Sequence, residues 1–241
     1  ATCEAPVKTK LKPVSTESLK EAFVAQIEEM ILSGEVTPGT RLPSEREMAE
    51  LTSVSRPVVR EGLLDLAAKG LVEMRPRNGN YVTDFRVSGS AELLSSLWNY
   101  RGGHLSDQVA RDLEEFRVTL EGPAADRCAR MATAEIVSAL QEILERADAI
   151  DPSDPEQTAH ADYQFHFAIA LHSGNMVYPM IMNSFRSVYL AMLTGFFSEA
   201  SVVPQVRRTR RQLLDRIAAR DGSGARECME RLASRAYYAQ G

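Results

Sequence analysis

Asp162 and His166 are the two side chains in this sequence best suited to bind a metal ion or to move a proton. Because they lie four positions apart, a helix would place both on the same face. A carboxylate and an imidazole can together ligate a divalent cation. Two ligands do not complete a metal site, and the spacing alone favours an ordinary hydrogen-bonded pair.

Arginines form a second group, and their chemistry suits DNA recognition. Arg56 and Arg60 are one helical turn apart, and no acidic residue occurs between Leu51 and Arg60. Arginine reads guanine in the major groove and also contacts phosphates. The alternative is that these are solvated arginines on a small helical domain. Further arginines nearby in the sequence are Arg46, Arg75 and Arg77.

Residues 42–84 contain the elements that would hold these arginines. Ser44 and Glu47 match a capping box, which starts a first helix. Ser55 is the expected N-cap of a second helix, and Pro57 fits its first turn, where a missing N–H costs little. Arg56 and Arg60 are therefore predicted to lie at the start of the second helix.

A β-hairpin is predicted directly after the second helix. Residues 71–74 and 81–83 are the predicted strands, and Asn78-Gly79 between them is a strong turn signal. Two helices, a tight turn and a hairpin make a winged helix-turn-helix, which inserts the start of its second helix into the major groove of DNA. The sequence thus predicts a DNA-binding domain at residues 15–85.

Three motifs give this domain a family resemblance. They are L-P-S-E-R-E-M-A-E-L from residue 42, V-S-R-P-V-V-R-E-G-L from residue 54 and L-A-A-K-G-L-V-E from residue 66. Their order and spacing closely resemble the winged-helix domain of GntR-type bacterial transcription regulators, over about residues 16–85. The resemblance implies DNA contacts by Arg46, Ser55, Arg56, Val58 and Arg60, with Gly79 at the wing tip in the minor groove. Many relatives carry two glycines at this tip, whereas this sequence has one and adds Pro76.

Composition sets limits on the class and location of the protein. The 241 residues are 44% hydrophobic, enough to bury a core, and the net charge of −5 gives no hint of nucleic-acid binding. Three widely spaced cysteines without a C-x-x-C pair fit reduced cytosolic thiols. We find no apolar run of membrane-spanning length and no secretion signal, so we expect a cytoplasmic protein without a membrane partner.

Helical periodicity dominates from residue 91 onward, and strand signals disappear. Residues 1–14 are predicted to be a flexible arm, and residues 86–90 a short polar linker between the domains. Gly122-Pro123 is expected to kink or break one of the helices. The chain is thus predicted to be mainly α, with an antiparallel bundle of about six or seven helices at residues 91–241. The predicted helices lie at about residues 91–100, 106–131, 134–149, 158–173, 176–199, 204–220 and 223–239.

The second half carries a weaker resemblance of its own. The pattern D-x-x-F-H that ends at His166, followed by S-G-N, resembles the effector domain of the FadR-like branch of the GntR regulators. Many members of that branch complete a metal site with two histidines from the last two helices. The aligned positions here hold Arg210 and Leu232, so the three-histidine site cannot be assembled. We therefore favour no metal cofactor; a divalent metal at the incomplete pair Asp162 and His166 is the alternative.

Arg210 changes the expected chemistry of this site. Its guanidinium would repel a divalent ion, could pair with Asp162 and could hold an anionic ligand. The alternative is that Arg210 points to solvent within the basic run at residues 207–211. Arg117 is a second candidate, because R-x-x-x-E matches a family pattern in which the arginine lines the effector cavity. A surface ion pair between Arg117 and Glu121 is the simpler interpretation.

Two more residues are candidates for the effector cavity. Asn175 either faces the cavity or caps a helix. Tyr189 belongs to the methionine- and aromatic-rich helix predicted at residues 176–199, which either packs as core or lines a lipid-sized cavity. The stretch S-G-N-M-V-Y-P-M-I-M-N-S-F-R-S-V-Y is similar to acyl-CoA-responsive members of the branch. This similarity implies a fatty acyl-CoA as the effector, and a small organic acid is the rival.

The predicted function is a homodimeric transcription regulator that places two recognition helices on a pseudo-palindromic DNA operator. A small anionic effector in the helical domain would change the affinity for the operator. The alternatives are a helical domain that only dimerises and a metal-plus-carboxylate sensor. No nucleophile elbow, phosphate loop or complete metal set indicates an enzyme.

Overall fold

The computed structural model describes residues 17–90, 93, 96 and 107–234. The chain divides into two compact units between Ser96 and Leu97. The predicted arm at residues 1–14 and most of the helix predicted at residues 91–100 lie outside the described residues. The predicted mainly helical fold, with one hairpin in the N-terminal unit, is confirmed.

The described part of the N-terminal unit contains three longer helices, a single helical turn and a two-stranded antiparallel sheet. Buried apolar side chains of the first and third helices, among them Phe23, Ile27, Leu63 and Leu66, build its core. The elements are α1 (Glu17–Leu32), α2 (Glu45–Thr52), α3 (Arg56–Ala68), β1 (Val72–Arg75), β2 (Gly79–Val82) and the single turn α4 (Phe85–Ser88). This order is the predicted winged helix-turn-helix.

The chain stays attached to the N-terminal unit beyond the hairpin. Ser88 Oγ donates a hydrogen bond to the Gly70 carbonyl at 2.8 Å. Further along, the buried Ser96 Oγ donates to Glu28 Oε1 on α1 at 3.0 Å. The linker predicted at residues 86–90 therefore includes part of a helical turn that is bound to the DNA-binding unit.

Seven α-helices make up the described part of the C-terminal unit. They are α5 (Asp107–Arg130), α6 (Ala134–Asp148), α7 (Pro155–Leu171), α8 (Val177–Ser184), α9 (Arg186–Phe197), α10 (Val203–Ala218) and α11 (Gly222–Ala233). The long helix α5 packs along α11, while α7 lies between α6 and α9. Side chains such as Phe165, Ile169, Leu213 and Ile217 are fully buried between these helices. None of the described helices is long and apolar enough to cross a membrane.

Of the kink or break predicted at Gly122-Pro123, the break is absent, because α5 continues through both residues. Gly122 lies against α11, where a Cβ atom would come within 2.9 Å of Glu230 Cγ. The missing side chain lets the two helices approach closely. We attribute the intact helix to this packing, which offsets the loss of one backbone hydrogen bond at Pro123.

The helix predicted at residues 176–199 is instead two helices that meet at Phe185. Phe185 has non-helical backbone angles, φ −118° and ψ 25°. Its buried ring packs edge-to-face on Phe116, with 5.4 Å between centroids. Within this segment, α9 supplies most of the buried side chains, whereas Met176 and Met180 near its start are exposed. Phe185 is therefore a buried residue at which the helix is interrupted, and the apolar run in the sequence did not predict this interruption.

Candidate DNA interface and buried charged cluster

The start of α3 presents the predicted DNA-reading residues on the surface. Arg56 opens the helix and Arg60 follows one turn later, and both are exposed. The fully buried Val59 between them anchors the helix in the core, while Val58 is half-buried. Ser55 occupies the N-cap position, but its side chain makes no capping hydrogen bond. Its exposed hydroxyl is therefore available to a phosphate oxygen.

Arg46 lies on α2, which begins with the predicted capping box. The Ser44 N–H donates to Glu47 Oε2 at 2.8 Å, and the Glu47 N–H donates to Ser44 Oγ at 3.3 Å. Arg46 is 3.6 Å from Glu50 Oε1, and both side chains are strongly exposed. A solvated pair of this kind is weak, so Arg46 can exchange its partner for a DNA phosphate.

The wing tip differs from the predicted turn at Asn78-Gly79. The Asn78 N–H donates to the Arg75 carbonyl at 3.0 Å, so Pro76 and Arg77 are the central residues of the turn. Arg77 has φ 64°, as the third position of a type II turn requires, and proline suits the second position. Gly79 instead begins β2, opposite Arg75. The extra proline is thus the physical reason for the shifted tip, and it places the exposed Arg77 at the third position of the turn.

Arg41 is a cation at the wing that sequence reasoning missed. Gly79 has φ 103°, and a Cβ atom there would lie 2.9 Å from Arg41 Nε. The backbone of Arg41 forms a bridge with Tyr81, so the residue lies beside the hairpin. Arg75 is more restrained than Arg41, because it donates to Glu73 at 2.7 Å. The available signal was an arginine directly before the L-P-S-E motif.

A network of buried polar side chains crosses the C-terminal unit. Arg117 on α5 donates from Nε to Glu121 Oε1 at 2.9 Å and from Nη2 to Tyr189 Oη at 2.7 Å. Tyr189 on α9 donates in turn to Glu121 Oε1 at 3.0 Å. His166 Nδ1 on α7 bonds the other oxygen of Glu121. Arg117 is 4% exposed and Glu121 1% exposed, so the surface ion pair considered from the sequence is wrong.

The second ion pair in this region joins Arg210 on α10 to Asp162 on α7. Arg210 Nε donates to Asp162 Oδ1 at 2.9 Å, and both residues are 3% exposed. The predicted pairing is therefore confirmed, and Arg210 does not point to solvent. His166 Nε2 lies 3.7 Å from Asp162 Oδ1 and has no hydrogen-bond partner among the described residues. We call this set the buried charged cluster: Arg117, Glu121, Asp162, His166, Tyr189 and Arg210.

The charges of the cluster largely cancel each other. Two guanidinium groups face two carboxylates, and each guanidinium bonds one of them. Burial by itself would raise the pKa of Glu121, but the charge of Arg117, followed by that of His166, lowers this pKa to about 2. Burial raises the pKa of Tyr189 well above its ordinary value, although Arg117 opposes the shift. The carboxylate of Glu121 and the neutral phenol of Tyr189 are thus the forms present at neutral pH.

Acid should remove the contribution of Glu121 to stability. Its pKa falls from 4.5 to about 2 on folding, so the contribution is complete above the higher value and disappears as pH approaches the lower one. We expect the difference in unfolding free energy between the parent and Glu121→Gln to shrink steadily over that interval. Denaturant unfolding at a series of pH values measures it. A difference that stays constant with pH would contradict the lowered pKa.

The cluster does not fit the three-histidine metal site found in many members of the FadR-like branch. Asp162 and His166 are the only two protein ligands of that pattern, and the described residues contain no group of three or more histidine, cysteine or acidic side chains arranged around a metal position. Arg210 places its positive charge directly on Asp162. A guanidinium at this position opposes the approach of a cation, so no chemistry is assigned to a metal here.

A small cavity adjoins the cluster. It is bounded by Arg117 and Asp162 on one side and by apolar residues of α9, α10 and α11 on the other, including Met192, Phe197 and Leu232. Its volume is about 10 Å³, which is enough for one water molecule. Among the described residues, the cavity beside the cluster is therefore far smaller than the lipid-sized one considered from the sequence.

Asn175 lies outside the cluster. Its Oδ1 accepts a hydrogen bond from the Val177 N–H at 3.0 Å, at the start of α8. Asn175 therefore acts as a cap at the start of α8, as one of the two interpretations of the sequence expected, and not as a residue of the effector cavity. Short-range bonding to the backbone two residues ahead is the usual behaviour of asparagine in such turns.

The two units together define a class of protein, namely a winged helix-turn-helix DNA-binding protein with an all-helical second domain. Residues 19–82 match the family described as bacterial regulatory proteins, gntR family, and residues 112–235 match the FCD domain. The chain therefore belongs to the GntR family of bacterial transcription regulators, with the FadR-like type of C-terminal domain. It is a DNA-binding transcription regulator and not an enzyme.

Individual relatives agree with this assignment. The chain is 35% identical over 225 residues to the HTH-type transcriptional regulator Mce2R of Mycobacterium tuberculosis (strain CDC 1551 / Oshkosh), covering 92% of this chain and 91% of that protein. It is 30% identical over 205 residues to LutR of Bacillus subtilis (strain 168), covering 83% and 91%. The structure of Lar, which controls the expression of the Listeria monocytogenes agr system, has the same fold, with TM-score 0.55, 18% identity and coverage of 95% and 96%.

Proposed function

We propose that this regulator binds a pseudo-palindromic operator as a homodimer in the cytoplasm, and that a small anionic effector at the buried charged cluster controls its affinity for DNA. The observation that supports the proposal is the burial of two guanidiniums at a cavity: Arg117 lines it, and Arg210 bonds Asp162, which also lines it. Two copies of the exposed α3 arginines would read two half-sites of the operator. In the DNA-binding unit we propose contacts by Arg46, Ser55, Arg56, Val58 and Arg60, with Arg75, Arg77 and Gly79 at the wing.

The cluster suggests how binding could be coupled to a conformational change. An incoming carboxylate would compete with Asp162 for Arg210, or with Glu121 for Arg117, because both guanidiniums are already paired. The cavity has room for about one water molecule, so a larger effector would also have to displace the apolar side chains of α9 that line it. A ligand that binds only the displaced state shifts the protein toward that state.

A short organic acid suits this cluster better than a long lipid. It would displace fewer side chains than a lipid and would use its charge against a guanidinium. Fatty acyl-CoA is the second candidate, supported by the apolar residues Met192, Phe196 and Phe197 along the cavity wall. Asn175 is not part of the proposed site, because its side chain is engaged at the start of α8.

The proposal can be tested on an operator obtained by in vitro selection with the full-length protein. Fluorescence anisotropy would measure operator affinity in the presence of short hydroxy acids, dicarboxylates and oleoyl-CoA. We expect one acid to change the affinity by at least about fivefold. In Arg210→Gln the effect of the acid on operator affinity should disappear. DNA binding itself should remain, because the substitution does not touch the exposed residues of α3. If none of these compounds alters operator affinity, the helical domain serves dimerisation alone.

Installing histidines should create the metal site that this chain lacks. Leu232 lines the same cavity as Asp162, and Arg210 bonds Asp162 directly. The double variant Arg210→His with Leu232→His should therefore bind zinc more tightly than the parent, since it removes a charge and adds two imidazoles. Calorimetric zinc titration measures the change, with Arg210→His alone as the control. Equal zinc affinity in the double variant and the parent would show that the family positions are assigned incorrectly.

A further inference from the structure

A groove separate from the buried charged cluster runs over the surface of the helical unit between α6, α7 and α9. We call it the α6–α9 groove. Its volume is about 720 Å³, within the range of small-molecule sites. Ile143, Phe167 and Leu171 supply its apolar surface, and Arg146 and Arg186 supply two positive charges. The groove thus combines an apolar surface with cations at one place.

Tyr163 lies in this groove with an unused hydroxyl group. The residue is 4% exposed, and its Oη has no hydrogen-bond partner among the described residues. Its ring stacks on Phe167, with 5.6 Å between centroids, so the side chain is held in place. A buried hydroxyl without a partner is costly. Its presence at a groove lined by arginines points to an acceptor that is supplied from outside the chain.

The arginines of the groove lack carboxylate partners among the described residues, unlike the arginines of the cluster. Arg146 and Arg186 form no ion pair within the described part of the chain, and neither aspartate nor glutamate is among the described residues that line the groove. The Arg186 guanidinium carbon is 5.6 Å from the centre of the Tyr163 ring. Its charge opposes the rise that burial causes in the pKa of Tyr163. An anion next to Tyr163 would therefore also be close to a cation.

We propose that the α6–α9 groove binds an amphipathic carboxylate. The carboxylate head pairs with Arg186 and accepts a hydrogen bond from Tyr163 Oη, while an aromatic or alkyl body packs on Phe167, Ile143 and Leu171. The hydroxyl has almost no solvent contact in this conformation, so side chains at the groove must shift to let a ligand reach it. Arg186 is exposed and lies 5.6 Å from the ring centre, so it can move with the bound carboxylate while staying paired with it.

Occupancy of the groove is transmitted to the buried cluster by direct packing. The Tyr163 ring meets the Tyr189 ring edge-to-face, with 5.2 Å between centroids. Tyr189 in turn bonds Arg117 and Glu121. The groove is nevertheless a site of its own, and its existence does not depend on the proposed effector site or on DNA binding.

Direct binding of 2-naphthoate to the full-length protein tests the proposal, with uncharged 2-naphthamide as the matched ligand. Isothermal titration calorimetry should show the acid binding at least about tenfold more tightly than the amide, because of the charge-assisted contact with Arg186. Arg186→Gln should weaken acid binding by about tenfold and remove this preference. Tyr163→Phe should weaken it by about threefold or more. Arg208→Gln on α10, exposed and outside the groove, should leave binding unchanged.

Folding of the variants is checked by their melting temperatures. Tyr163→Phe deletes an unpaired buried hydroxyl, so it should melt at the parent temperature or above it. A clear fall would mean that the hydroxyl has a partner within the protein, and would overturn the proposal. The same conclusion follows if neither ligand binds, if the acid shows no preference over the amide, or if Arg210→Gln abolishes binding while Arg186→Gln preserves it. In this last case the acid occupies the buried cluster.

A second copy of the chain is the competing occupant of the groove. Sedimentation equilibrium of Leu171→Glu decides between the two, because this exposed residue lines the groove. We expect the oligomeric state to remain that of the parent. Dissociation of the variant would make the groove a protein interface and would overturn its assignment as a ligand site.

Discussion

Alanine at Arg56 or Arg60 is expected to abolish sequence-specific operator binding while the protein stays folded. Both side chains are exposed at the start of α3, so their loss removes no core contact. A bidentate contact between arginine and a base contributes about 1–3 kcal/mol, which is roughly fivefold to 150-fold in affinity. Each substitution occurs once per protomer, so a dimer on a two-fold site would lose the contact twice. Anisotropy titrations of the selected operator against full-length variants measure the loss.

Arg130 provides a matched control for these substitutions. It is an exposed arginine that pairs with Asp126 in the helical unit, and Arg130→Ala should leave operator affinity unchanged. The salt dependence adds a second readout. If Arg46 contacts only phosphate, Arg46→Ala should weaken binding to all sequences and reduce the slope of affinity against salt by about one. Operator affinity within twofold of the parent for both Arg56→Ala and Arg60→Ala would rule out α3 as the recognition helix.

Removal of Glu121 is expected to have the largest effect on the stability of the helical unit. Glu121→Leu leaves the guanidinium of Arg117 buried without its carboxylate and deprives His166 Nδ1 and Tyr189 Oη of their acceptor. Breaking one side of a buried ion pair typically costs about 3–5 kcal/mol. Calorimetry should show this as a marked fall in the melting temperature of the unit. The double variant Arg117→Met with Glu121→Leu should recover a large part of the loss, since no unpaired charge remains.

An exposed pair of the same spacing gives the comparison. Arg130 and Asp126 are also four residues apart on α5, but the arginine side chain is 69% exposed. Arg130→Met should therefore change the unfolding free energy by less than about 0.5 kcal/mol. If Glu121→Leu is as mild as Arg130→Met, the cluster must be hydrated and its carboxylate replaceable by water. The proposal that an effector competes for these guanidiniums would then lose its basis.

Local sequence signals were sufficient for most of the DNA-binding unit. The capping box at Ser44 and Glu47 and the N-cap position at Ser55 each depend on backbone groups within a few residues. Such interactions can be recognised from spacing alone. The turn was predicted two residues too late, at Asn78-Gly79 instead of Pro76-Arg77, because proline favours the second position of the observed turn.

The effector region was only partly predictable. The pairing of Arg210 with Asp162 followed from their alignment with family positions, although they are far apart in the sequence. The burial of Arg117 and Glu121 could not be predicted from their spacing of four residues, because ion pairs with this spacing occur both on the surface and in the interior. The same ambiguity led to one predicted helix where Phe185 separates two.

The sequence by itself determined which elements form, where most of them begin and end, and which arginines an exposed recognition helix carries. These features depend on neighbouring residues, whose chemistry is visible in the linear order. Tertiary structure alone decided that Pro123 is tolerated inside α5 and that the two arginines of the cluster are buried and paired with its two carboxylates. It also decided that Tyr163 lies in a groove with two arginines and that its hydroxyl has no hydrogen-bond partner among the described residues. Each of these depends on side chains that distant helices bring together, and the free energy of burying a charge or a hydroxyl is set by what surrounds it.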